Sequence, residues 1–149
     1  MVLDLKQGGG KDVLRRLIPT ANVFFYNMRP KAIGRLGFDY EAVSALKSDI
    51  VHCGAYGYSE KGPYAAKPAY DDLIQGESGL VVLGADEHGT PRYTPTILVD
   101  KLVGLVASQA ILSALFHRSQ TGDGQAIEVL MFETMVAFML AEHIYEHTR

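Results

Sequence analysis

The chain has 149 residues, 48% hydrophobic and 21% charged, which is the composition of an ordinary globular protein with one packed core and excludes a disordered or fibrous chain. Its 14 Lys and Arg against 17 Asp and Glu give a net charge of -3, with both signs mixed along the sequence. That balance leaves no electrostatic footprint for nucleic acid or an anionic membrane.

Residues 2–5 read as a short strand, residues 7–10 as a turn, and residues 11–18 as a helix with Val13, Leu14, Leu17 and Ile18 at helical spacing. Residues 23–26 form a compact apolar strand covered on both faces, stopped by Arg29 and Pro30. Asp39 caps a helix carrying Ala42, Val43 and Leu46, and residues 50–53 are the next strand, in which Cys53 is buried. Strand, helix, strand with short connections predicts that the two strands are parallel neighbours. A lone cysteine excludes an internal disulfide and suits a reducing compartment.

Residues 54–68, rich in Gly, Tyr and Pro, and residues 84–95 are the expected irregular loops, the first being the better site for function. Residues 99–116 are apolar on nearly every side and predict a helix buried within a larger body or under a partner chain. The apolar run at 102–116 is shorter than the ~20 residues that cross a bilayer. A turn at 121–124, a strand at 126–130 and a helix at 132–147 complete an α/β reading with a Rossmann-like parallel sheet and flanking helices, one domain over 1–149. The expectation is that no leader precedes Asp4 and that the location is the cytoplasm.

Several motifs carry chemistry only weakly. His143, Glu146 and His147 fit a helical zinc-hydrolase spacing without a third ligand downstream. Residues 57–62 miss a nucleophile elbow by one position, and the glycines before Lys11 lack the Ser or Thr of a phosphate loop. Taken alone, Asp100 reads as a helix cap or dipole partner, Asp71 and Asp72 as helix caps, and Arg29 and Arg35 as solvated surface residues.

Four segments change that reading. NVFFYNMRPKAIGRLGFDYEAVSAL, DIVHCGAYGYSEKGPY, KPAYDDLIQGESGL and DKLVGLVASQAILSALFHRSQTGDGQAIEVLM, in this order, resemble the family III CoA transferases. That family includes formyl-CoA and carnitine-type CoA transferases and the α-methylacyl-CoA racemases. The resemblance implies that Asp100 is the catalytic aspartate, which carries CoA as an aspartyl thioester between an acyl-CoA donor and a carboxylic acid acceptor. It implies CoA contacts at Asn27, Met28, Arg29, Ala32, Arg35, Leu36 and Tyr70, with Met28 replacing the usual Phe and Tyr26 the usual acidic residue. Coenzyme A enters as substrate, and no prosthetic group or metal is implied.

Racemases place a histidine where this chain has Tyr70. A phenol with a pKa near 10 is a poor base at neutral pH, so the transferase branch is favoured over the racemase alternative. The resemblance further implies an interlocked homodimer or higher oligomer, and a longer architecture with an additional N-terminal βα segment and C-terminal half. This chain would be its middle, and the third alternative is a catalytically inactive CoA-binding or oligomerisation module.

Overall fold

The computed structural model describes residues 2–143. The chain folds as two compact units, one of Met1–Ala55 and Ser108–Glu128, the other of Tyr56–Ala107 and Val129–Arg149.

In the first unit the expected strand at 2–5 does not form. Asp4 turns the chain instead: its carboxylate accepts from the Lys6 N–H at 2.9 Å and its carbonyl from the Gln7 N–H at 3.1 Å. Such local bonds compete with strand formation. The glycines expected in a turn are the first residues of helix α1 (Gly8–Leu17), whose last turn carries Arg15 and Arg16 as dipole partners.

Strand β1 (Val23–Tyr26) leads through α2 (Pro30–Leu36) and α3 (Tyr40–Leu46) to β2 (Val51–Tyr56), and β1 and β2 pair in parallel from Val23 against Val51 to Tyr26 against Gly54. Strand β3 (Gln125–Leu130) completes a parallel three-stranded sheet in the order β1-β2-β3. The predicted parallel neighbours, the intervening α3 and its cap are therefore all present. The Asp39 carboxylate accepts from the Ala42 N–H at 2.9 Å.

Helix α2 departs from the reading of Pro30 as a stop. It occupies the first helical position, where a missing N–H costs nothing, and Gly37 ends the helix at φ +80. β2 is the central strand and is buried at five of its six positions, Cys53 among them, and it runs on to Tyr56, into the stretch expected to be irregular. β1 lies at the edge, so Phe25 is 53% exposed and the expectation of two covered faces fails there. Ile18, Ile33, Phe38, Val43 and Ile50 form the core of this unit. His52 is a satisfied core histidine, with Nε2 3.1 Å from the Phe38 carbonyl and its ring stacked on Phe24.

The second unit holds two short helices, α4 (Asp71–Glu77), which starts where Asp71 and Asp72 read as helix caps, and α5 (Leu80–Leu83), which has no counterpart among the predicted elements. Helix α6 (Leu98–Thr121) begins here and continues into the first unit. Within this chain α6 is buried along only part of its surface. Val99, Val103, Ala107 and Ala114 are buried, while Leu105, Leu112 and Phe116 are 65%, 66% and 70% exposed. The apolar stretch is also longer than residues 102–116: by length and composition the helix could cross a membrane, a description that core helices of soluble proteins also meet.

Gly122, at φ +83, ends α6 with its N–H on the Arg118 carbonyl at 2.8 Å. Arg118 anchors this end, donating to the backbone carbonyls of Asn22 and Asp49 at 3.3 Å each. The last helix, α7 (Met131–His143), matches the start of the expected 132–147 helix. Residues 144–147, with most of the H-x-x-E-H spacing, lie outside the described residues.

Candidate active site

The site residues expected from the sequence divide between the units. Asn27, Met28, Arg29, Ala32, Arg35 and Leu36 belong to the first, on the link from β1 into α2. Asn27, Arg29 and Arg35 are exposed; Met28 and Leu36 are partly buried and pack against the core. Arg29 is extended because Pro30 follows it, and it stands at the N-cap of α2. Arg35, one turn and a half further on, donates through Nε to the Lys31 carbonyl at 3.1 Å. The short helix thus presents two guanidinium groups and an amide to solvent over an apolar base, a surface suited to a phosphate-bearing ligand.

In the second unit Asp100 is the third residue of α6 and is exposed. The N–H groups of a first helical turn have no partner within the helix. That of Asp100 is satisfied by the Asp71 carboxylate, through Oδ2 at 2.9 Å. Asp71 is the first residue of α4 and caps α6, not its own helix. Its other oxygen accepts from Gln75 Nε2 at 2.6 Å. Partial burial of the carboxyl, and after it the negative charge of Asp71, push the Asp100 pKa above the ordinary aspartate value. Tyr70, immediately before Asp71, is 69% exposed.

Among the described residues no group of three His, Cys, Asp or Glu converges as a metal site.

The segment after β2 is irregular as expected, but fixed. The Tyr58 hydroxyl donates to Glu77 Oε2 and Lys67 Nζ to Glu77 Oε1, each at 2.9 Å, and Lys67 lies 3.8 Å from the centre of the Tyr64 ring. Tyr58, Tyr64 and Phe132 pack ring against ring. The Phe132 N–H reaches the Gly57 carbonyl at 3.0 Å and the Ser59 N–H the Glu133 carboxylate at 3.1 Å.

Sequence reasoning missed this cluster and Gln75. The alternation of Tyr with Lys and Gly in 56–67 was a signal for it, since tyrosines bury their rings and keep a hydroxyl for a partner.

Burial first, and the bond to Glu77 second, push the Tyr58 pKa up to about 12. A folded-state value above the unfolded value near 10 means that the stability it contributes is complete below about pH 10 and is lost as pH rises toward 12. Alkaline titration followed by tyrosine absorbance should therefore show a late component that Tyr58→Phe removes. A Tyr58→Phe titration identical to that of the parent would contradict the geometry.

A parallel sheet flanked by helices defines an α/β protein. The chain belongs to CoA-transferase family III, whose profile matches residues 1–149. It is 30% identical over 144 residues to the succinate–glutarate CoA-transferase of Agrobacterium fabrum, covering 97% of this chain and 36% of that protein. It is 34% identical over 140 residues to the acetyl-CoA:oxalate CoA-transferase of Acetobacter aceti, covering 93% and 36% respectively. The crystal structure of a CaiB/BaiF family protein from Brucella suis superposes with a TM-score of 0.92 at 30% identity, over 99% of this chain and 39% of that one. The chain therefore spans little more than a third of the length of these relatives.

Proposed function

We propose that this chain carries the nucleophile and part of the CoA site of an enzyme that moves CoA from an acyl-CoA to a free carboxylate through an aspartyl-CoA thioester on Asp100. The observation that carries the reading is the exposed carboxylate of Asp100 in the first turn of α6, its own N–H already bonded to Asp71.

An Asp100 oxygen attacks the thioester carbonyl, the C–S bond breaks, and CoA thiolate leaves a mixed anhydride behind. The thiolate then attacks the aspartyl carbonyl, releasing the donor acid as its carboxylate and forming the aspartyl-CoA thioester. An acceptor carboxylate attacks that thioester and expels the thiolate, which in turn attacks the acceptor's acyl carbon. New acyl-CoA forms and the Asp100 carboxylate is restored. No net proton is consumed, so an ionised aspartate needs no separate base.

Arg29 and Arg35 meet the phosphates of CoA, Asn27 supplies an amide, and Met28, Ala32 and Leu36 give an apolar shelf. Tyr70 offers an exposed ring; as a phenol it is unsuited to take a proton from an α-carbon at neutral pH, which disfavours racemisation.

Incubation with succinyl-CoA and hydroxylamine tests the reading. The anhydride or thioester should be trapped as a hydroxamate, and peptide mass spectrometry should place it on Asp100. Because only the ionised carboxylate attacks, trapping should rise with pH through a midpoint above that of an ordinary aspartate. A hydroxamate on another residue, or none, would overturn it.

A further inference from the structure

Gln75 is a polar side chain only 2% exposed, one turn along α4 from Asp71. Burying an amide is costly unless its polar atoms find partners, and here both ends do. Oε1 accepts from the Thr94 N–H at 2.9 Å, while Nε2 donates to Asp71 Oδ1 at 2.6 Å and to the Thr96 carbonyl at 3.3 Å. Asp71 Oδ2 takes the Asp100 N–H. Two side chains of one short helix therefore hold the main chain at three points, residues 94, 96 and 100, across the irregular approach to α6 and its first turn. Residues 94–100 carry Asp100 to its place.

We infer that Asp71 and Gln75 are positioning residues for Asp100: together they lock the backbone on which the nucleophile stands before any substrate arrives. The inference rests on the reading of Asp100 as the nucleophile. Attack by a carboxylate on a bound thioester tolerates little misplacement, and an error near 1 Å costs up to about 100-fold in rate. A preset backbone matters more here because Asp100 is exposed.

The clamp has a polarity that a variant pair reads. Asp71 accepts twice, so Asp71→Asn must give up one of its two bonds. Adding Gln75→Glu reverses the pair: the new amide donates to the new carboxylate and still accepts from the Asp100 N–H, and the carboxylate still accepts from the Thr94 N–H, while the bond to the Thr96 carbonyl is lost because a carboxylate has no N–H to give. Net charge is unchanged from the parent.

The experiment measures three quantities in the full chain: hydrogen exchange of the Asp100 amide, the maximal rate of hydroxamate formation from succinyl-CoA, and the succinyl-CoA concentration giving half that rate. Asp71→Ala should accelerate Asp100 exchange and lower the maximal rate by roughly tenfold or more with little change in the half-saturating concentration. Asp71→Asn should fall between, and the added Gln75→Glu should recover part of the loss. Should Asp71→Ala fail to fold, the Asp71→Asn and double variants carry the same comparison.

Unchanged exchange, or accelerated exchange with a full maximal rate, would overturn the positioning role. A loss confined to the half-saturating concentration would do so as well, by assigning Asp71 to substrate binding. A parent chain never trapped at Asp100 would sink the nucleophile reading and the positioning role with it. In that case the amide exchange would still record whether Asp71 caps α6, so the two failures are distinguishable.

Discussion

Asp100→Asn should abolish CoA transfer, with a fall of at least about 1,000-fold in the rate of acyl exchange and complete loss of the trapped hydroxamate. The amide is nearly isosteric with the carboxylate, but its lone pair is delocalised and it forms no productive anhydride. The fold should survive. Asp100 is exposed, and the bond that anchors it runs from its backbone N–H to Asp71, which the substitution leaves in place. Removing one of two adjacent negative charges should raise the melting temperature, as expected where a functional charge is held against repulsion. Activity and melting temperature measured on the same preparation separate the two effects. A transfer rate within tenfold of the parent would exclude Asp100 as nucleophile.

A large structural effect is expected at Gly124. A Cβ there would lie 2.6 Å from the Asp49 carbonyl carbon and 2.7 Å from the Ile50 nitrogen, both backbone atoms just before the central strand. A flexible side chain could yield; this backbone is tied by the Gln125 N–H to the Ile50 carbonyl at 3.2 Å and by Arg118 to the Asp49 carbonyl. Gly124→Ala should therefore cost about 3 kcal/mol, the upper end of ordinary overpacking penalties. At roughly 2–4 °C per kcal/mol for a chain of this size, the melting temperature should drop by about 6–12 °C. Gly122→Ala, where a Cβ meets nothing within 4 Å but φ is +83, should cost only about 1 kcal/mol. Equal losses at the two positions would contradict the packing assigned to Gly124.

What was legible in the sequence follows from the range of the forces involved. β1, α3 and β2 rest on local patterns: an apolar run, Asp39 three residues before the Ala42 N–H that it caps, and a second apolar run. Helix α2 was hidden because a proline after a strand reads equally as a stop or as a first helical residue, and only the chain beyond Gly37 decides between them. The run at 2–5 was misread because an aspartate within it turns the backbone on itself. On α6 the apolar residues surround the helix, so periodicity alone gave no exposed face, although Leu105, Leu112 and Phe116 form one.

The site was legible by resemblance more than by physics. Nothing local distinguishes Asp100 from a cap, and the identity of Asp71 as the cap of α6 depends on a partner 29 residues away. Gln75 gave a single local signal: it stands four residues after Asp71 and directly after the buried Ile74, on a face with little room for an unpaired amide.

The most direct measurement is borohydride reduction of the chain after incubation with succinyl-CoA, followed by mass analysis of the peptide containing residue 100. Borohydride reduces a thioester and leaves a free carboxylate untouched, so an aspartyl-CoA intermediate should convert Asp100 into homoserine in a CoA-dependent manner, and Asp100→Asn should show no such product. An unreduced Asp100 in a chain that turns over acyl-CoA would contradict the account.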